Sequence, residues 1–231
     1  MQAQRREPPF AERPDRNGVP ASRTDWVIER VRRAILFGEV KAGERLISGA
    51  WATRLGVSPT PLREAFQRLA AEGFIDYDPQ RGARVAPLTL RAACEIYELR
   101  ITLEPRAIAS SVSAGEDGWR HALEDAFAEL DALYGAVTFT TADAVDAHRT
   151  FHRLLRSRCD SLWLLRIVEM LGDQSTRLQF ASLPGRGGHR AARGEHRELF
   201  RAAQRGDASS AAELTAAHLQ RTLTALQVET R

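Results

Sequence analysis

The sequence contains few cysteines and no long apolar segment. Cys94 and Cys159 are the only two cysteines in 231 residues, and they form no CxxC pair. Neither a disulfide framework nor a thiolate zinc site is therefore expected, and a reducing compartment is indicated. No apolar run approaches the roughly 18 to 20 residues that cross a bilayer, and the polar N-terminus lacks the apolar stretch of a signal peptide. We expect a cytoplasmic protein without a membrane partner.

Lysine is almost absent as well, because Lys41 is the single example and arginine supplies the remaining positive charge. The formal net charge is +3 and is unevenly distributed. Residues 1–86 hold 15 Lys and Arg against 11 Asp and Glu, whereas residues 87–231 hold 18 against 19. This asymmetry is a weak indication of nucleic-acid binding. The composition, 43% hydrophobic and 27% charged, is that of a soluble globular protein, and the length suits two domains.

The N-terminal third has the pattern of a small DNA-binding domain after a tail. Residues 1–22 are rich in proline and charge, which predicts a flexible tail. Three short helices and two short strands are predicted next, over residues 25–36, 48–55, 59–71, 74–77 and 84–86. Three helices followed by a β-hairpin make a winged helix-turn-helix, which we assign to residues 23–87.

From Leu88 onward, apolar residues recur at helical spacing and no convincing strand is found. Six helices are predicted, over residues 88–113, 117–134, 140–156, 161–180, 190–204 and 207–228. The fold class is therefore mainly α, with a winged helix-turn-helix followed by an all-helical bundle over residues 88–231.

The third predicted helix has an apolar face and a polar face. The apolar face carries Leu62, Phe66 and Leu69, and the candidates for DNA contact on the other faces are Ser58, Thr60, Arg63 and Gln67. Arg63 is the first choice, for either a phosphate or a guanine. In the wing, Arg81 and Arg84 are candidates. An exposed arginine is more often solvated or paired with a neighbour such as Glu64 than functional, so the assignment of these arginines depends on their position within the motif.

The segment from Gly56 to Ile75, GVSPTPLREAFQRLAAEGFI, resembles the signature of the GntR family of bacterial regulators, and GARV at residues 82–85 resembles its wing. The resemblance implies a homodimeric transcriptional regulator that binds an inverted repeat in double-stranded DNA. Gly49 and Pro59 stand where the family commonly has arginines. We therefore expect an unusual operator preference.

The C-terminal part resembles the FCD effector domain of the FadR-like branch of that family. The similar segments are residues 95–100, 149–155 and 195–207, with Ala211 and His218. In members with a metal, one Asp and three His bind it. The resemblance makes His152, His196 and His218 ligands by direct match, and His148 replaces the Asp. Four imidazoles favour zinc, nickel or copper over manganese or magnesium, and zinc or nickel is expected.

The resemblance also implies a small carboxylate effector beside the metal, with an arginine that balances its charge. Arg100 is the candidate, and Arg153 is a weaker one. A pair between Arg100 and Glu104, four residues apart on one helix, explains Arg100 equally well. We expect a repressor that the effector releases from DNA, although the opposite sign satisfies the same thermodynamics.

Two other classes of function remain as alternatives. Histidines four residues apart, such as His148 and His152, are more often ordinary helix residues than ligands. If they do bind a metal, a metal-dependent hydrolase is possible, because a zinc ion with an open position activates water. The absence of an HExxH motif and of an evident general base argues against an enzyme. A DNA-bending architectural protein would not need the histidines.

Overall fold

The computed structural model describes residues 22–78, 80–135, 141–182 and 187–228 of the chain. The chain divides into two compact units, Met1–Pro87 and Leu88–Arg231, and each is described by itself. Apart from Ser22, the predicted flexible tail lies outside the described residues. Among those residues, no helix combines the length and apolar character that crossing a membrane requires.

Over its described residues, the N-terminal unit consists of three helices and a small antiparallel sheet. Its elements are α1 (Arg23–Leu36), β1 (Arg45–Leu46), α2 (Ser48–Leu55), α3 (Pro59–Ala71), β2 (Ile75–Asp78) and β3 (Gly82–Val85). The strand order is β1-β3-β2, so β3 lies in the middle and pairs on both sides. The predicted winged helix-turn-helix is therefore confirmed, with a third strand that the sequence pattern did not predict. A strand of two residues is too short to show a period of two.

The turn between α2 and α3 depends on a glycine. Gly56 ends α2 in the left-handed conformation at φ 65°, which residues with a Cβ rarely adopt. Pro59 occupies the first position of α3, where its missing N–H costs nothing. Ser58 is the N-cap residue, but its side chain accepts no backbone hydrogen bond. Leu62, Phe66 and Leu69 are fully buried beneath α3.

The C-terminal unit is built of helices over its described residues. They are α4 (Leu90–Ala114), α5 (Asp117–Gly135), α6 (Thr141–Arg156), α7 (Leu162–Ser182), α8 (Gly187–Gln204) and α9 (Ala208–Val228). The predicted bundle is confirmed, and helix ends differ from the prediction by a few residues at most. Helix α4 packs on α9 and α7, while α5 packs on α6 and α8.

The main core of this unit brings α6 against α5 and α8. Phe151 and Leu155 of α6 are completely buried, together with Leu123 of α5 and Leu199 of α8. Phe151 also packs on Phe127, with ring centroids 5.8 Å apart. Because Phe151 fixes one face of α6, residues 148 and 152 are held on the adjoining face, towards α8 and α9.

Candidate DNA-binding surface and candidate metal centre

Helix α3 places its four polar candidates on the surface of the N-terminal unit. Ser58, Thr60, Arg63 and Gln67 are all exposed. Arg63 is not paired with Glu64, and the Glu64 carboxylate accepts a hydrogen bond from the Thr24 hydroxyl at 2.8 Å. Within the part of the chain that the structure describes, the Arg63 side chain has no hydrogen bond or ion pair. Its guanidinium is thus available to an external partner.

Gln67 lies beside a groove that contains acidic residues. It lines a shallow groove between α1 and α3 with Asp25 and Glu64. Asp25 accepts a hydrogen bond from Arg68 at 2.8 Å. The Ser22 hydroxyl has the largest effect on the pKa of Asp25 and lowers it, and Arg68 lowers it further. Gln67 nevertheless lies only about 40° around α3 from Arg63, on the same face, and the cationic Arg68 lines the groove together with the two carboxylates.

In the wing, one of the predicted arginines is almost fully exposed, and the other is bonded to the backbone. The side chain of Arg81 is 89% exposed, and its Nε lies 4.0 Å from Oδ2 of Asp78. Arg84 is exposed, but its Nη1 donates to the carbonyl oxygen of Gly43 at 3.0 Å. Arg45, which the sequence analysis missed, pairs with Arg84 in register and donates to the Arg81 carbonyl. Only the third strand reveals that Arg45 belongs to the wing.

The four predicted histidine ligands come together in the C-terminal unit. His148 and His152 lie one turn apart on α6, His196 is on α8 and His218 is on α9. One ring nitrogen from each lies within 4.8 Å of the others. Three of the four side chains are buried, and His148 is half-buried. Helices that are distant in sequence thus converge on one point.

The distances in this histidine cluster suit a metal ion. The Nε2 atoms of His152 and His196 are 3.1 Å apart. Four ligands around a tetrahedral ion with bonds of about 2.0–2.1 Å are separated by about 3.3 Å from one another. Ring centroids range from 4.4 Å, between His148 and His152, to 6.2 Å, between His148 and His218. The donor set therefore fits a transition metal with nitrogen ligands.

The interior keeps two of these imidazoles neutral. Burial lowers the pKa of His152 well below its usual 6.5, and the three other histidines lower it further. Burial, followed by the nearby His218, lowers the pKa of His196 to about 3. Both rings are therefore unprotonated at neutral pH, and a neutral imidazole has the lone pair that a metal ligand needs.

Glu195 orients one ligand from outside the cluster. Its carboxylate accepts a hydrogen bond from Nδ1 of His218 at 2.6 Å and contacts Arg221. With Nδ1 engaged, Nε2 is the nitrogen of His218 that remains for a metal. The sequence analysis gave Glu195 no role at this site. A carboxylate that binds a histidine 23 residues away leaves no local signal in the sequence.

A small cavity lies beside the histidines. His148 and His152 form one wall, and the remaining lining residues are Arg100, Arg149, Arg156, Gly172, Ser175 and Thr176. Its free volume is about 20 Å³, room for an ion or one water molecule. Arg100 is buried there and also contacts Glu104, with Nε 2.8 Å from Oε2. Both interpretations of Arg100, as a pair with Glu104 and as a residue of the effector site, are thus compatible with its position.

Comparisons with protein families match both parts of the chain. Residues 23–85 match the family described as bacterial regulatory proteins, gntR family. Residues 95–221, more than half of the chain, match the FCD domain.

Individual relatives agree with these matches. The chain is 29% identical over 228 residues to the uncharacterized HTH-type transcriptional regulator BphR of Paraburkholderia xenovorans. This alignment covers 92% of this chain and 90% of the relative. It is 27% identical over 161 residues to the HTH-type transcriptional repressor GlaR of Escherichia coli, with 65% of this chain and 69% of the relative covered.

Solved structures share the fold. Escherichia coli McbR/YncC superposes with a TM-score of 0.79 at 21% identity, covering 91% of this chain and all of that one. A GntR-type regulator from Rhodococcus sp. RHA1 has a TM-score of 0.75 at 22% identity, with the same coverage. The fold is thus that of regulators with a helix-turn-helix unit before a helical unit.

Proposed function

The chain belongs to the GntR family of bacterial transcription regulators and carries an FCD domain, and from this premise we propose that it is a metal-containing repressor controlled by a small carboxylate. The family and its relatives are regulators, which rules out the metal-dependent hydrolase considered above. We assign DNA binding to residues 23–87 and effector binding to residues 88–231. Bacterial DNA lies in the cytoplasm, where we place the protein.

The observation that supports this proposal is the position of the histidine cluster. His148 and His152 face the other two histidines and also line the arginine-bearing cavity. A cation in the cluster and the guanidinium of Arg100 would therefore act on the same small space. The positive charges of a metal and an arginine make that space favourable for a carboxylate and unfavourable for a cation.

His148, His152, His196 and His218 would hold the metal, and zinc or nickel suits four nitrogen donors best. When bound, the ion would supply a positive charge, and it would accept a carboxylate oxygen only by expanding from four ligands to five. Glu195 keeps His218 in place, and burial keeps His152 and His196 neutral. Arg100 is proposed to contact the effector while Glu104 holds its Nε.

DNA binding is assigned to α3 and the wing. Arg63, with Ser58, Thr60 and Gln67, would enter the major groove, while Arg81 and Arg84 would contact the flanking backbone. A homodimer would place two such units on an inverted repeat. Several relatives are called repressors, including GlaR and the probable D-xylose utilization operon repressor of Paenarthrobacter nicotinovorans.

The size of the cavity suggests how the effector would act. A free volume of about 20 Å³ does not admit an organic acid unless the surrounding side chains and helices move. An effector that requires such movement favours one arrangement of the bundle over another. We propose that the favoured arrangement spaces the two DNA-binding units unsuitably for the operator, so that the effector releases DNA.

Metal analysis of the purified protein tests the central part of this proposal. The protein is expressed without a histidine tag and measured by mass spectrometry as wild type, as His152→Ala/His196→Ala and as His121→Ala. His121 is the matched control, because it is exposed and bonded to the Asp117 carbonyl, outside the cluster. We expect about one zinc or nickel ion per chain in wild type and control, and none in the double variant, because two of four ligands are lost.

Two results would contradict the metal site. One is a wild-type protein without metal after expression in medium supplemented with zinc and nickel. The other is a double variant that retains the full metal content while the circular dichroism of all three proteins agrees. Manganese as the bound ion would keep the site but overturn the argument from four nitrogen donors.

A further inference from the structure

Arg156, at the end of α6, is buried in a way that the metal site does not explain. Only 3% of its surface is exposed. Its Nη1 donates to the carbonyl oxygen of His152 at 3.0 Å and approaches Oε1 of Glu104 at 3.4 Å. Its Nε is buried without a hydrogen-bond acceptor among the described residues. A charged donor that is buried without an acceptor costs free energy, so its presence calls for an explanation, and a functional role is one.

Glu104 compensates for only part of the charge of Arg156, because Arg100 shares that carboxylate. The Nε and Nη2 atoms of Arg100 both lie 2.8 Å from Oε2 of Glu104. Arg156 reaches only the other oxygen, at the longer distance of 3.4 Å. Desolvation, with a smaller effect from Arg100, lowers the pKa of Arg156 more than Glu104, Glu169 and Asp173 raise it.

The cavity wall shows where a compensating anion would lie. Arg100, Arg149 and Arg156 all line the cavity, and among the described residues no acidic side chain lines it. Arg149 is already paired with Asp173, with Nε 2.8 Å from Oδ1. The hydroxyl groups of Ser175 and Thr176 complete the polar wall. Gly172 lies close to Arg156, because a Cβ at this position would be 3.2 Å from Nη2. The cavity thus has a second guanidinium, that of Arg156, beside that of Arg100.

We propose that Arg156 binds a second anionic group of the effector, and that the effector is therefore a short dicarboxylate rather than a monocarboxylate. This inference rests on the proposed function, in which the metal and Arg100 hold the first carboxylate. The small free volume favours a chain of about two to four carbons, because a longer diacid would require a larger displacement of α7.

Calorimetric titration of the full-length, metal-loaded protein tests this inference with matched pairs of acids. The pairs are propionate and malonate, butyrate and succinate, and 3-hydroxybutyrate and malate, with inorganic phosphate as a separate anion. Wild type is compared with Arg156→Gln, Arg156→Lys and Arg153→Gln. Arg153 is the control, because it lies on the same helix and does not line the cavity.

We expect wild type and Arg153→Gln to bind at least one diacid about 10- to 150-fold more tightly than its monoacid partner, the range for a hydrogen bond to a charged group. Arg156→Gln should lose this preference while its affinity for the monoacid and its metal content stay unchanged. Arg156→Lys should keep part of the preference, because it retains the charge without the planar fork.

Equal affinity for monoacids and diacids in wild type would overturn the inference and leave the proposed carboxylate site intact. The same conclusion would follow if Arg156→Gln weakened both acids of a pair alike while it kept metal and helical content. Tighter binding of phosphate than of any diacid would replace the dicarboxylate with a phosphate ligand. Absence of binding by every acid would overturn the proposed effector function together with this inference.

Discussion

Single residues in this protein take their roles from the partners that burial gives them. Glu104, which is completely buried, lies between Arg100, Arg156 and the Nδ1 atom of His152, the last at 4.0 Å. Glu195 has the corresponding position beside His218. Both carboxylates support groups of the proposed site without lining the cavity. Replacing either would therefore misplace a histidine or an arginine rather than remove a ligand.

Arg63 carries the most direct prediction for DNA binding. Arg63→Ala should weaken binding by about 1–3 kcal/mol if the side chain reads a guanine, with specificity relaxed at one position. A phosphate contact would instead weaken all sequences alike and reduce the salt dependence by about one ion. Fluorescence anisotropy on duplexes selected in vitro by the wild-type protein, at several salt concentrations, distinguishes the two cases.

Arg68→Ala is the matched control for this measurement. Arg68 is also exposed on α3 but lies about 140° around the helix from Arg63, paired with Asp25. Its loss should change DNA affinity much less. Equal losses in the two variants would show that α3 acts only through its general positive charge.

Among the helices, α7 has an exposed apolar stripe that a solvated helix would not need. Its residues are Leu162, Trp163, Ile167 and Met170, with Trp163 72% exposed. Arg166 lies over the Trp163 ring at 5.2 Å. We propose that a second copy covers this stripe in the homodimer, because a twofold contact buries an apolar surface against its own copy.

The double variant Trp163→Asp/Ile167→Asp tests this surface. Charge on an apolar interface is expected to shift the protein from dimer to monomer and raise the dimer dissociation constant at least about 100-fold. Analytical ultracentrifugation measures the change. The control is Leu90→Asp, an exposed apolar residue at the start of α4. A double variant that remains as dimeric as this control would mean that another surface holds the dimer.

At the scale of the whole molecule, the two units have separate hydrophobic cores. The core of the N-terminal unit contains residues from Val27 to Val85, and the cores of the C-terminal unit begin at Tyr97. The histidine cluster belongs to the second unit alone. Metal binding should therefore stabilise one unit without stabilising the other, because a ligand stabilises only the structure that must fold to bind it.

Hydrogen exchange in the presence and absence of a chelator measures this difference. A metal present at 100 times its dissociation constant adds about 2.7 kcal/mol to the stability of the unit that binds it. We expect protection to fall in α6, α8 and α9 after metal removal, and to stay constant in α1 to α3. The His152→Ala/His196→Ala protein should show no response to the chelator. An equal fall in both units would indicate that they unfold together.

Local pattern was sufficient for most of the architecture. The 3.6-residue spacing of apolar side chains predicted α1 to α9, because each helix buries one stripe whatever it packs against. The motif around Arg63 and the segments with the histidines identified the family, which the comparisons confirm. Strand β1 was missed because two residues carry no periodic signal.

The sequence by itself determined which residues are available: four histidines at positions typical of a metal site, an exposed Arg63, and a helical bundle to hold them. Only the tertiary structure decided which buried polar groups meet. The contacts of Glu195 with His218, of Glu104 with Arg100 and Arg156, and of the arginines with one cavity join helices far apart in the chain. Helical periodicity specifies the face of a side chain, whereas its partner depends on the packing of other helices, which no local pattern encodes.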